Sequence, residues 1–246
     1  MAARQTPKKH FASASKLKSE VILDFREYQA PDVSQIAALM NVNKTQLNET
    51  FACAPVAVGT PKLSNTDSPF AFIKSNNSNS NGSTLGVKVL DGYDTSISNV
   101  GILNVYNASD LFYGMRSLCF RLNLPGLDMP AFCVDTCDKA TKNPIPPRAV
   151  LADICHSVIA YIDSIKKAQE EGLLPSLVQY ENTPFYTDET LTERYFWDFR
   201  TIDLSNLYLL GALKEAKSRS YVLVLGIRHP RLNVDGPGVR VRYDVV

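Results

Sequence analysis

The side chains that could do chemistry are few and far apart. The chain has five cysteines, Cys53, Cys119, Cys133, Cys137 and Cys155, and three histidines, His10, His156 and His229. A zinc site is the first chemistry to test, because Cys133 and Cys137 precede the adjacent pair Cys155-His156. Structural zinc sites draw on two closely spaced ligand pairs of regular geometry. Neighbouring residues of a helix point about 100° apart, so Cys155 and His156 cannot close on one ion. The same angle prevents them from acting as a thiolate and its base; a catalytic cysteine would have to recruit His10 or His229. His229 precedes Pro230 in a loop-like stretch, which reads as a surface or capping position. The odd cysteine count and the lack of an apolar leader argue for reduced thiols in a cytosolic or nuclear setting.

Other catalytic patterns are missing. No G-x-S-x-G elbow presents a serine, and neither G-x-x-x-x-G-K-[ST] nor G-x-G-x-x-G offers a phosphate loop. The GPGVRV stretch near the C-terminus is turn chemistry. Carboxylate pairs such as Asp198 with Asp203, or Glu189 with Glu193, read as solvated helix positions. The sequence therefore names no catalytic residue, no cofactor and no metal ligand. An enzyme built from distant loops remains a third reading.

Charge is more informative. The chain carries a net +1, but residues 1–19 hold Arg4, Lys8, Lys9, Lys16 and Lys18 without an acid. Residues 217–246 hold six bases against Asp235 and Asp244, so the stretch between the two ends is acidic. Two basic ends on an acidic body suit contact with nucleic acid or with a neighbouring copy. Arg194 and Arg200 flank the aromatic run Tyr195-Phe196-Trp197, where arginines could meet phosphate and rings could stack on bases. Filling a core or a subunit contact is the alternative for those rings. Arg240 and Arg242 project from one face of an alternating strand, at a spacing that could follow a phosphate backbone; edge protection is their alternative.

The elements that would position these residues follow from periodicity. Leu151, Ile154, Cys155, Val158, Ile159, Ile162 and Ile165 predict a long core helix over 146–172, opened by Pro146-Pro147 and closed at Gly172. Asp32 is the expected N-cap of a helix over 32–42, with Gln35 completing a capping box, and 45–51 reads as a second short helix. Further helices are predicted over 109–122, 188–200 and 201–218. Residues 52–83 read mostly as loop, with the Asn/Ser-rich tract 75–83 as a candidate sub-boundary. Strands are predicted over 85–90, ending at the Asp91-Gly92 turn, over 96–106, over 221–227 and over 239–245. Residues 16–25 fit either helix or strand, and 173–186 reads as irregular.

Together these predict an α+β fold: a mainly helical body with a central hairpin and a C-terminal antiparallel β-hairpin. Residues 1–19 form a basic flexible arm and 20–246 a single globular domain. No apolar run reaches the ~20 residues of a membrane span, so no membrane partner is expected. The functional expectation is a non-enzymatic self-assembling protein, most concretely a viral coat or nucleocapsid-type subunit. Its partners would be copies of itself and RNA or DNA, in the cytoplasm, the nucleus or a virion. A protein-only lattice or scaffold subunit is the second reading.

Overall fold

The structure is a computed structural model of the chain. It describes residues 20–24, 28–29, 31–54, 56–57, 69–75, 83–97, 99–103, 115–122, 131–172, 177–181, 186–187, 194–195, 203–216, 218 and 220–228. In chain order these form β1 (Glu20–Asp24), β2 (Tyr28–Gln29), α1 (Ser34–Leu39), α2 (Lys44–Thr50), β3 (Phe51–Cys53), β4 (Val56–Ala57), β5 (Phe70–Ser75) and β6 (Ser83–Leu85). Next come β7 (Val87–Lys88), α3 (Val89–Tyr93), β8 (Val100–Leu103), β9 (Ser117–Leu122), β10 (Ala131–Asp135) and α4 (Pro147–Glu170). The remainder is β11 (Leu177–Glu181), β12 (Tyr186–Thr187), β13 (Arg194–Tyr195), β14 (Leu207–Lys214) and β15 (Ser220–Arg228), with a 3-10 turn at Leu204–Asn206.

A curled nine-stranded sheet dominates, ordered β10-β9-β15-β14-β5-β6, with β3, β7 and β8 joined along its sides. The expectation of a mainly helical body is therefore wrong. The long helix α4 packs on one face. Its Leu151, Ile154, Cys155, Val158 and Ile162 share a core with Phe72, Phe120, Leu122, Leu207 and Leu223 of the sheet. On the opposite face Ile36 and Ala37 of α1 and Leu47 of α2 pack on Leu210, Leu213 and Val224. Both faces of β14 and β15 are thus covered, and each fully buried aliphatic side chain contributes about 1.5–3 kcal/mol.

This two-sided burial explains the main correction. Leu204, Leu207, Leu210 and Leu213 have helical spacing, yet β14 occupies most of the predicted 201–218 helix. A strand buried on both faces reads as a continuous apolar run, which periodicity cannot separate from a buried helix. The 109–122 prediction fails for a related reason. In β9 the alternating set Leu118, Phe120 and Leu122 is buried, and it was embedded in a pattern that also fitted a helix. Of the predicted 188–200 helix, Arg194–Tyr195 is a strand paired with β12, and the rest lies outside the described residues.

Pairing differs from expectation as well. The expected central hairpin does not form. β8 pairs with β5, β6 pairs with β5 and β7 pairs with β14. Asp91 and Gly92 belong to the single-turn helix α3 and make no hairpin turn. Gly86, at φ +71°, lets the chain leave β5 and join β14. Tyr221 to Ile227 is a central strand as its apolar run implied, but its hairpin partner is β14, joined through 215–220. The predicted partner 239–245 lies outside the described residues. Strand β5 falls inside the predicted loop 52–83, and its Ser75 pairs with Ser83 across the Asn/Ser-rich tract. Residues 20–24 resolve as a strand parallel to β11, which corrects the irregular reading of 173–186.

The helices that periodicity found are present with small shifts. α4 has Pro147 in its first turn, and Gly172 has φ +66° just beyond its end. α2 begins one residue early, where Asn43 Oδ1 accepts from Gln46 N at 2.7 Å and Gln46 Oε1 accepts from Asn43 N at 3.0 Å. Asp32 accepts from the N–H and hydroxyl of Ser34, so it stabilises the turn just before α1 and Val33 takes the cap position.

Gly211 marks the tightest approach within the sheet. A Cβ there would lie 2.4 Å from the Phe70 carbonyl oxygen and 2.6 Å from Ile36 Cδ1. The backbone oxygen cannot swing away. Gly211→Ala is expected to destabilise by about 1–3 kcal/mol in urea unfolding. Gly101→Ala, where nothing lies within 4 Å, should change stability by less than about 0.5 kcal/mol.

Candidate functional site

The thiols and imidazole that suggested chemistry do not converge. Cys155 is fully buried in the core beneath α3, where a Cβ on Gly92 would lie 2.4 Å from its sulfur. His156, the next residue, is exposed and stacks on Tyr93 with ring centroids 5.6 Å apart. Helix geometry separates them, as expected. Burial pushes the Cys155 and Cys53 thiols up to about 12, far from the range in which a thiolate acts as a nucleophile. Cys119 and Cys133 face each other across the β9–β10 ladder and form a disulfide, so the expectation of reduced thiols fails for this pair. Two distant cysteines meet because antiparallel pairing puts them in register. Cys137 is a free, half-buried thiol. Among the described residues no group of three or more His, Cys, Asp or Glu could hold a metal ion. None of the described helices is long and apolar enough to cross a membrane.

Several carboxylates are committed to local structure. Asp203 takes the N–H and hydroxyl of Ser205 and caps the 3-10 turn. Asp94 does the same with Ser96, and Asp138 with Ala140 and Thr141. Hydrogen bonds from these serine and threonine groups hold the carboxyls of Asp32, Asp94, Asp138 and Asp203 below the ordinary carboxylate range. Their stabilisation is complete above that range and disappears as pH falls through the lowered values.

Two arginines that the sequence did not single out carry structural weight. Arg148, near the start of α4, donates to the carbonyls of Gly92 at 2.6 Å and Ile97 at 3.1 Å, and also to those of Asp91 and Asp94. One guanidinium therefore holds the end of α3 and the turn after it against α4, with its charge at the negative end of a short helix. Arg121 alternates with Phe120 and Leu122, which enter the α4 core, so it projects from the other face. Its Nη1 lies 3.7 Å from Glu215 Oε1. Glu215 is 1% exposed, and neither of its oxygens accepts a hydrogen bond. The pair joins a buried carboxylate to a guanidinium that is 37% exposed, in poor geometry, and only the contact between residues 94 apart in sequence could reveal it.

Of the predicted nucleic-acid residues, Arg194 alone falls among the described residues. Arg194 lies in β13, its backbone paired with Thr187. Arg4, Lys8, Lys9, Lys16, Lys18, Arg200, Arg240 and Arg242 lie outside the described residues, as do His10, His229, Glu189, Glu193 and Asp198. The described side chains hold equal numbers of acids and bases, so the acidic excess inferred for the middle of the chain also falls outside them. What the described surface does present is an aromatic patch. Leu90 is 41% exposed and Tyr93 50%, three residues apart on α3 and therefore on one face, beside the exposed His156. The sequence signal for it was faint: two apolar residues after a strand, placed in an apparent turn.

Two measurements follow. Unfolded thiols ionise near pH ~8.5, whereas Cys53 and Cys155 keep their protons in the folded state to about 12. The unfolded state then binds fewer protons, and stability falls as pH rises above ~8.5. The limiting slope is about 1.4 kcal/mol per pH unit for each thiol. Urea unfolding from pH 7 to 11 should show this decline, and a Cys53→Ala/Cys155→Ala variant should show a shallower one. Arg121→Ala leaves the buried Glu215 carboxylate without its partly exposed partner and should cost about 1–3 kcal/mol, while Arg121→Leu/Glu215→Leu should stay within about 1 kcal/mol of the parent. No protein-family model, curated protein or solved structure matches the chain.

Proposed function

We propose that the chain is a non-enzymatic structural subunit that assembles with copies of itself, most concretely a viral coat or nucleocapsid-type subunit. The observation that carries this reading is how the described body uses its reactive groups. Its buried thiols are raised to about 12, and the carboxylates of Asp94, Asp138 and Asp203 are tied to their own turns. An exposed aromatic patch stands where a partner could meet it. On this reading RNA or DNA is met by the basic ends, through Arg4, Lys8, Lys9, Lys16 and Lys18 and through Arg240 and Arg242, with Arg194 and Arg200 added from the aromatic-basic run. Cationic side chains of that kind bind phosphate at a strength that falls with salt. The Cys119–Cys133 disulfide suits a particle that persists outside a reducing cytosol.

A protein-only lattice or scaffold subunit is the second reading. The full chain's net charge of only +1 favours it, because a subunit that coats nucleic acid alone would carry an excess of bases.

Size-exclusion chromatography of the full chain, read at 260 and 280 nm, separates the two. The leading reading expects a large particle with a nucleic-acid absorbance ratio. Deleting residues 1–19 should then make binding to RNA less salt-dependent, with a shallower slope of log K against log salt. A large particle without nucleic acid supports the lattice reading. A monomer that ignores RNA and DNA at low salt sinks both.

A further inference from the structure

We infer that the Leu90–Tyr93–His156 surface receives the basic N-terminal segment, residues 1–19, of a second copy of the chain. This rests on the assembly reading above. Leu90 and Tyr93 are two of the three large apolar side chains exposed among the described residues; the third is Met115. They are adjacent, and Tyr93 is held in a stack with His156 at an interplanar angle of 24°. Arg148 fixes the α3 backbone through its carbonyls, so the surface is set before a partner arrives. Docking on a preformed surface loses less conformational freedom than ordering both sides.

Charge selects the occupant. Asp94 is exposed at the end of α3, and its carboxyl is held below the ordinary range by the Ser96 hydroxyl and N–H, so it is ionised at neutral pH. Asp153 lies one turn before His156 on α4 and forms no ion pair among the described residues. Two bases that reach α3 are already committed. Lys74 pairs with Asp91 at 2.7 Å, and Arg148 is bound to carbonyls. An aromatic face whose two helices also carry the carboxylates of Asp94, at the end of α3, and Asp153, on α4, fits an extended segment that alternates cations with apolar groups. Cations would pair with Asp94 and Asp153 or lie over Tyr93, and apolar side chains would cover Leu90. Residues 8–11 read Lys-Lys-His-Phe and 16–18 read Lys-Leu-Lys, in a segment without an acid. The basic C-terminal stretch fits less well, because Asp235 and Asp244 would face the same carboxylates.

The test uses the full chain with p-benzoylphenylalanine at position 93. Equal amounts of unlabelled and 15N-labelled protein are mixed under assembly conditions, irradiated, digested and read by mass spectrometry. The expected result is a cross-link from position 93 to a peptide within residues 1–19, in mixed isotopic pairs. Cross-links confined to one isotopic copy, or an assembled particle whose position 93 reaches another segment or none, overturn the inference and leave the assembly reading standing. A full chain that stays monomeric overturns both. As a second measure, Leu90→Ser/Tyr93→Ser should weaken self-association by about tenfold with an unchanged circular dichroism spectrum. Unchanged association would overturn the inference.

Discussion

Burial of both faces of the β14–β15 ladder is the constraint on which the described body depends. Seven consecutive residues of β15, Tyr221 to Ile227, are buried, and β14 is buried from Leu209 to Leu213. Such strands can sit only in the middle of a sheet with a layer on each side. α4 provides one layer, and α1 with α2 provides the other. The close approach at Gly211 follows from the same packing, since a side chain there would collide with β5 and α1 at once.

The curled sheet carries α4 on one face, and this fixes what can stand on the surface. α3 is a single turn, too short to hold itself in water. It is held by Gly92 lying against Cys155 and by the Arg148 guanidinium gripping its last carbonyls. Its outer face is left free, and Leu90 and Tyr93 project from it. The body's most distinctive exposed feature is thus a consequence of how its core is closed. The Arg121–Glu215 pair shows the opposite outcome. There the sheet brings two charges together with neither carboxylate oxygen satisfied, so the pair adds little net stability while the loss of Arg121 leaves a buried carboxylate without its counter-charge.

Some of this was legible in the sequence. The helix over 146–172 was found with its ends nearly correct, because a wide stripe at 3.6-residue spacing bounded by Pro and Gly has few other solutions. The central character of 221–227 and the strand character of residues near Val100 were also readable. The separation of Cys155 from His156 followed from helix geometry alone. Of the aromatic patch, the stacking of His156 on Tyr93 was not visible, since the two residues lie 63 positions apart.

The sequence by itself determined the elements whose hydrophobic period is unambiguous, the basic ends and the lack of familiar catalytic motifs. Tertiary structure alone decided that 117–122 and 207–214 are strands: the run of β14 is buried on both sides and has no period to read, and the alternation of β9 sat in a pattern that also fitted a helix. It also decided which strands pair. β8 lies on β5 and β15 lies between β9 and β14, which no local turn signal specifies. The Cys119–Cys133 bond, the Arg148 clamp and the Arg121–Glu215 pair belong to the same class. Each depends on register between segments distant in the chain, and register is set by the packing of the whole sheet.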